Sequence, residues 1–233
     1  MPDAQTPPSA LAQLVARIRT LQSAEAADPA LAARLKDVRA WQAARLTRTY
    51  ADLAHNPGQT SAIGFFLTDL YGPQDFSARD RQLARAAPLL ERTLPRSALQ
   101  VLIDALELYT LSGELDQTLV RSLRGGPICA ESYTQAYRAS GRAADRERQI
   151  RLIVQIGERL ARAVEQPLIG LALRATHVPA HMAGFGALQD FLERGFAAFQ
   201  HLADAQAFLT AIRTRESSIS EALLRGDPSP LRN

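Results

Sequence analysis

The sequence predicts an all-α fold, a compact bundle of roughly eight to ten helices. Apolar residues recur mainly at spacings of three and four, the period of a helix with one buried face. Alternating runs of β-branched residues, which are typical of half-buried strands, are nearly absent. Proline and glycine divide the chain into segments of helical length.

The first three helices are predicted by apolar stripes and by residues that start helices. Residues 11–21 carry such a stripe. Asp28 followed by Pro29 predicts the N-cap and first turn of a helix that continues to residue 53. A third helix is expected over residues 61–71.

The next two helices are predicted by a capping box and by an apolar pattern, and each contains a residue that could interrupt it. The Ser77–Asp80 spacing predicts a capping box for a helix over 77–94, which Pro88 should kink or split. The segment 97–123 is apolar on two sides, so we expect it in the middle of the bundle, with Gly113 as a candidate break.

The second half of the chain predicts five helices, over residues 132–139, 143–165, 167–175, 182–201 and 205–224. Asp204 is the expected N-cap of the last of them. The tail from residue 226 onward contains two prolines, and we expect it to be frayed.

Length and loop pattern predict one helical domain over residues 1–233. The clearest loop is the Gly-Gly-Pro sequence within residues 124–128. It is the candidate boundary between two subdomains.

Composition excludes several classes of protein. The 27 basic and 24 acidic side chains give a net charge of +3, a weak electrostatic footprint for nucleic acid. The single cysteine excludes a disulfide framework and a cysteine-rich zinc site. No apolar run approaches the roughly 20 residues of a membrane span. No secretory signal is visible, so we expect a cytoplasmic protein.

The most distinctive segment is FFLTDLYGPQDFSARD at residues 65–80. It resembles an uncharacterised family of proteobacterial helical proteins with an FFLxDLYGPxDFxxRD segment, and residues 191–199 fit the same resemblance. The resemblance implies an all-helical fold and no particular activity. In this segment Asp69 and Tyr71 are candidate ligand-binding residues of a polar pocket; alternatively, the carboxylates cap helix ends and pair with arginine.

A second candidate ligand site lies in the aromatic helix expected over 182–201. Gly184, Phe185 and Phe196 belong to a glycine- and phenylalanine-rich pattern that predicts either close helix packing or an apolar cavity for a small molecule.

His177 and His181 are candidate metal or haem ligands. On a continuous helix a spacing of four places both imidazoles on one face. Pro179 weakens this prediction if it lies in the first turn of a helix, and the alternative is a hydrogen-bonded core histidine.

A basic stripe lies on the helix expected over 143–165. Its members, which fall within about a quarter of the helix circumference, are Arg148, Arg151, Arg159 and Arg162. They predict either a surface for an acidic partner or a solvated helix face.

These features favour a non-enzymatic helical protein that binds a partner protein or an apolar small molecule. Signatures of serine hydrolases, zinc proteases and nucleotide-binding loops are missing. The alternative is a haem- or metal-binding sensor or enzyme that uses His181 or His177. A helical DNA-binding regulator ranks third, and a homodimer is as compatible with the pattern as a monomer.

Overall fold

The computed structural model describes residues 9–56, 58–66, 77–93, 96–123 and 125–232. These residues form eleven α-helices and a short 3-10 helix, and no strand occurs among them. The α-helices are α1 (Ala10–Ala27), α2 (Pro29–Thr49), α3 (Ala51–Ala54), α4 (Thr60–Phe65), α5 (Ser77–Thr93), α6 (Arg96–Ser122), α7 (Ala130–Ala139), α8 (Ala143–Val164), α9 (Pro167–Met182), α10 (Gly186–Gln200) and α11 (Ala205–Arg225). The predicted all-α bundle is confirmed, with somewhat more helices than expected.

Two of the predicted helix starts are confirmed by side-chain hydrogen bonds. The carboxylate of Asp28 accepts from the first free N–H groups of α2, and Pro29 occupies the first helical position. Asp204 accepts from the backbone N–H of Ala207 at 2.8 Å and so begins α11. Gly226 ends α11 in the left-handed conformation that glycine adopts without strain, with φ at 87°.

Helix α6 lies in the middle of the bundle, as its two apolar sides predict. It packs against α1, α2, α7 and α8, and Leu111, Leu115 and Leu119 are buried along it. The helix is continuous through Gly113, and the side chain of Leu21 in α1 packs directly on that position. The glycine therefore permits a close helix contact and does not break the helix.

The described residues form a core of three apolar clusters. The central one joins α4, α6, α8, α10 and α11, and so contains residues from both sides of the loop at 124–128. A second cluster lies between α1, α5, α6 and α10. The third joins α2, α6, α7 and α11 to the 3-10 helix, Ser229–Leu231, near the end of the chain.

Several predicted boundaries are wrong. The helix expected over 29–53 divides at Tyr50 into α2 and α3. Helices α5 and α9 continue through Pro88 and Pro179, and both prolines lie on exposed faces of their helices. As a result α9 ends at Met182, and α10 begins only at Gly186.

The expected frayed tail is also wrong. Leu231 is 2% exposed and belongs to the third apolar cluster, so the tail packs onto the bundle. Its two prolines do not prevent this, because the 3-10 helix provides a short ordered turn around them.

Part of the sequence-based interpretation falls outside the described residues. This is true of Asp69, Tyr71, the side chains of the Ser77–Asp80 capping box and the second half of the helix expected over 61–71. Within the described part of the chain, no helix combines the length and apolarity that a membrane span requires.

Helices α8 and α11 approach closely at Gly157. A Cβ atom there would lie 2.3 Å from Cδ2 of the buried Leu209. We therefore expect Gly157→Ala to lower the free energy of unfolding by about 1–3 kcal/mol, measured by urea denaturation. Gly64→Ala is the control, since none of the described atoms outside its own helix backbone lies within 4 Å of its Cβ position. The control should be neutral or stabilising by up to about 1 kcal/mol. Equal stability of Gly157→Ala and wild type would contradict this packing.

Candidate functional site

A cavity of about 110 Å³ lies inside the bundle, between α2, α6, α7, α8 and α11. One part of its wall is aliphatic and aromatic, with Ile63, Phe66 and Ile212 among the lining residues. The rest is unusually polar for a protein interior. The polar lining side chains are Gln42, Arg45, Tyr50, Ser112, Asp116, Tyr133, Tyr137, Arg146, Gln149, Glu216 and Ser220.

An ion pair between Arg45 of α2 and Glu216 of α11 forms part of this wall. Two guanidinium nitrogens of Arg45 contact the two carboxylate oxygens at 2.6 and 3.1 Å. The Tyr50 hydroxyl donates to the same carboxylate at 2.8 Å. Burial and the Glu216 charge raise the pKa of the Tyr50 phenol well above its ordinary value, so the hydroxyl stays a donor. Glu216 thus accepts three hydrogen bonds from these two residues.

Asp116 of α6 is the second acid in the wall, and it also has partners. It accepts a hydrogen bond from Gln42 Nε2 at 3.0 Å, and Arg39 Nε lies 3.6 Å from its other oxygen. Gln42 also donates to the Tyr133 hydroxyl. Burial outweighs the effects of Arg39 and Gln42 and raises the pKa of the Asp116 carboxyl.

Arg146 of α8 differs from these residues, because one edge of its guanidinium has no partner among the described residues. The residue is 5% exposed, and its Nη1 donates to Gln149 at 3.2 Å. Nε and Nη2 are buried without a hydrogen-bond acceptor. The guanidinium carbon lies 4.7 Å from the centroid of the Tyr137 ring, so the aromatic face fixes the plane of the group.

The free edge of the Arg146 guanidinium matches one class of ligand, an anion with two oxygens. The N–H bonds of Nε and Nη2 are parallel and form the fork that binds the two oxygens of a carboxylate or phosphate. Both acids of the cavity wall accept their described hydrogen bonds from other residues, and Arg146 acts on Asp116 through its charge without a hydrogen bond from Nε or Nη2. A buried guanidinium edge without an acceptor is costly, and an anion with two oxygens would remove that cost.

The chain's family was determined by comparison with known sequences. The model of a family described as a domain of unknown function, DUF8198, matches residues 21–230. The chain belongs to the DUF8198 family. No curated protein and no solved structure matches it. The matched DUF8198 range includes every lining residue of the cavity except Leu231, and the match agrees with the predicted resemblance to an uncharacterised family.

Three of the predicted ligand-binding residues of this DUF8198 chain, Gly184, Phe185 and Phe196, lie away from the cavity. Gly184 is in the turn between α9 and α10 with φ at 77°, and its carbonyl accepts from Arg85. Phe185 packs in the second apolar cluster, and the ring of Phe196 lies against Gly170. None of the three lines the cavity.

The predicted basic stripe is largely neutralised within the chain. Arg148 and Arg159 pair with Glu107 and Asp104 of α6, and Arg151 pairs with Glu147 one turn away on α8. These pairs leave less free charge for an acidic partner than the sequence spacing indicates. The fourth member, Arg162, is exposed.

The two predicted metal ligands lie together on α9, because that helix is continuous through Pro179. The ring centroids of His177 and His181 are 4.6 Å apart. Each imidazole contacts a carboxylate of α10: His177 contacts Glu193, and His181 contacts Asp190. The expectation that His181 faces the core is wrong, since its side chain is 42% exposed.

Sequence reasoning singles out none of the charged cavity residues, although a signal exists. Arg146 continues the buried stripe of α8 that includes Ile150, Ile153 and Gly157. A charged residue at an apolar position of an amphipathic helix indicates a buried polar site. Which acids and amides share that site depends on how five helices meet, and spacing along one helix does not show it.

The same substitution at two cavity arginines should have opposite effects on stability. In ligand-free protein, Arg146→Met replaces an unsatisfied buried charge, so the free energy of unfolding should be unchanged or rise by about 1 kcal/mol. Arg45→Met leaves Glu216 buried without its partner and should cost about 3–5 kcal/mol. Chemical denaturation measures both, and a loss of 3 kcal/mol or more for Arg146→Met would identify Arg146 as purely structural.

Asp116→Asn should alter the pH dependence of stability. Because the folded-state pKa of Asp116 is raised, wild type loses stability as pH rises from about 4, the unfolded value, to the folded-state pKa. The asparagine variant lacks this loss, so relative to wild type it should gain stability between pH 4 and pH 7.

Asp52→Asn provides a control of opposite sign. Hydrogen bonds from Arg215 lower the pKa of Asp52 to about 2. Its stabilising contribution is therefore present above the unfolded pKa and is lost as pH falls toward about 2. Its difference from wild type should be constant between about pH 5 and 7 and shrink below about pH 4. A constant difference for Asp116→Asn between pH 4 and 7 would contradict the raised pKa.

Proposed function

We propose that this chain is a ligand-binding protein that encloses a small organic monocarboxylate in its interior cavity. The observation that carries the proposal is the unpartnered Nε–Nη2 edge of Arg146, a group 5% exposed on the cavity wall. The sequence-based hypothesis of a binding protein is retained. The ligand now proposed is a carboxylate with a short apolar part, in place of the wholly apolar molecule expected from the sequence.

The cavity wall supports a carboxylate with an apolar part. Arg146 supplies the fork for two oxygens, and residues such as Ile153, Phe66 and Ile212 supply an apolar surface. A protein cavity of about 150 Å³ admits benzene, so the present volume suits a ligand of at most about six non-hydrogen atoms.

Charge also favours a monoanion over a dianion. Glu216 and Asp116 line the same cavity as Arg146, and each lies in an interior where like charges repel strongly. A single negative charge balances Arg146, whereas a second one would face these acids without a cation to offset it.

The rival functions have less support. A protein partner on the basic stripe would compete with the ion pairs that Arg148 and Arg159 already make with α6. A DNA-binding role depends on a net charge of only +3. A cytoplasmic location is part of the proposal, and the exposed free thiol of Cys129 is compatible with a reducing compartment.

The experiment is calorimetric titration with straight-chain monocarboxylates of two to four carbons and with the corresponding primary amides. The carboxylates should bind with one-to-one stoichiometry, and the amides should bind about 10–100-fold more weakly, because they lack the charge-assisted fork. Arg146→Met should abolish carboxylate binding. The matched control is Arg213→Met, an exposed arginine of α11, which should leave binding unchanged.

Two outcomes would contradict the proposal. Equal binding of acids and amides would show that the charge of Arg146 plays no part. Equal loss in Arg146→Met and Arg213→Met would show that general surface charge, rather than the cavity, attracts the acid.

A further inference from the structure

We propose that His177 and His181 of α9 and Asp190 of α10 form a binding site for one divalent transition-metal ion, of which Zn²⁺ is the best match. The site lies on the outside of the bundle and is separate from the cavity. It does not depend on the proposed carboxylate function.

The three ligands are brought together by the α9–α10 hairpin. His177 and His181 are four residues apart on one helix, which places them on the same face one turn apart. The turn at residues 183–185, with Gly184 in the left-handed region, reverses the chain. Helix α10 then returns along α9 and places Asp190 beside His181.

The donor atoms are close enough for one ion. One ligand atom from each of the three residues lies within 4.8 Å of the other two, and His181 Nε2 is 2.8 Å from Asp190 Oδ1. Tetrahedral Zn²⁺ with bonds of about 2.0–2.1 Å needs donors about 3.3 Å apart. Small rotations of partly exposed side chains close that difference.

Neighbouring residues hold the ligands in place. A Cβ atom at Gly186 would lie 2.7 Å from His181 Nδ1, so the ring packs on this glycine with Nε2 toward Asp190. Glu193 accepts from Nδ1 of His177 at 2.9 Å, and the buried Gln189 donates to Glu193 at 2.8 Å. A carboxylate behind a ligating histidine is the arrangement that orients imidazoles in metal sites.

The donor chemistry selects the metal. Two imidazoles and a carboxylate suit Zn²⁺, Co²⁺, Ni²⁺ and Cu²⁺, whereas Mg²⁺ and Ca²⁺ prefer sites made of oxygen alone. The two carboxylates, Asp190 and Glu193, add negative charge that a cation offsets. Haem fits less well, because a haem iron takes its two imidazoles from opposite sides of a porphyrin, and these rings are neighbours 4.6 Å apart.

The test is titration of metal-free protein with Zn²⁺ against a chromophoric chelator, followed by Co²⁺ absorption spectra. Wild type should bind one Zn²⁺ and give visible Co²⁺ bands typical of nitrogen and oxygen ligands. His177→Ala, His181→Ala and Asp190→Asn should each weaken Zn²⁺ binding at least about tenfold and alter the Co²⁺ spectrum. Far-ultraviolet circular dichroism confirms that these surface variants remain folded.

Two control variants make the result specific. His201→Ala removes an exposed histidine whose Nδ1 bonds to the Ala197 carbonyl outside the cluster, and it should leave Zn²⁺ affinity unchanged. Gly186→Ala keeps every ligand but pushes on the His181 ring, so it should weaken Zn²⁺ binding as well.

The outcomes separate this site from the cavity. His181→Ala should leave carboxylate titrations unchanged, and Arg146→Met should leave Zn²⁺ binding unchanged. Absence of one-to-one Zn²⁺ binding by wild type would overturn the metal site, as would an equal loss in His201→Ala. In either case His177 and His181 would be partners of the α10 carboxylates only.

Discussion

The buried ion pair between Arg45 and Glu216 is the constraint on which the interior of this protein depends. It joins α2 to α11, and the two side chains are only 14% and 15% exposed. Glu216 also accepts from the Tyr50 hydroxyl. Its described hydrogen bonds come from Arg45 and Tyr50 and not from Arg146 on the neighbouring helix. The electrostatic character of the cavity thus follows from how the acids of its wall are already paired.

The polar interior is tolerated because apolar packing surrounds it. Leu115, Phe208 and Leu209 lie at the centre of the main cluster, each at most 2% exposed. Natural proteins often keep unfavourable groups at functional sites and compensate for them with packing elsewhere. In this bundle the stabilising apolar cluster borders the cavity directly, since Phe66, Ile153 and Ile212 belong to the cluster and also line the cavity.

Much of the fold follows from local sequence signals, and much of the site does not. The caps at Asp28 and Asp204 depend on residues within one turn, so they could be predicted. The continuity of α9 through Pro179 could not be predicted, because it depends on the tertiary exposure of the proline and on the packing of α10 along α9.

The histidine cluster and the cavity also differ in how much of each the sequence predicts. The pairing of His177 with His181 is a spacing within one helix, and the sequence predicted it; the carboxylates that complete the cluster come from α10 and were not predicted. The cavity combines side chains from α2, α6, α7, α8 and α11, so no single periodicity indicates it. Of the charged cavity residues, only Arg146 is indicated by the sequence, because it is a charged residue within the apolar stripe of α8.

The cavity wall joins residues that are far apart in the sequence. Arg45 and Glu216 are separated by 171 positions, and Leu231 completes a wall that begins at Gln42. Contacts between such distant residues carry a large loop-closure entropy and are typical of slowly folding chains. During synthesis, α2 emerges long before α11. Arg45 of α2 therefore has no Glu216 to pair with until nearly all of the chain has been made. The cavity therefore cannot be complete before α11 has been made.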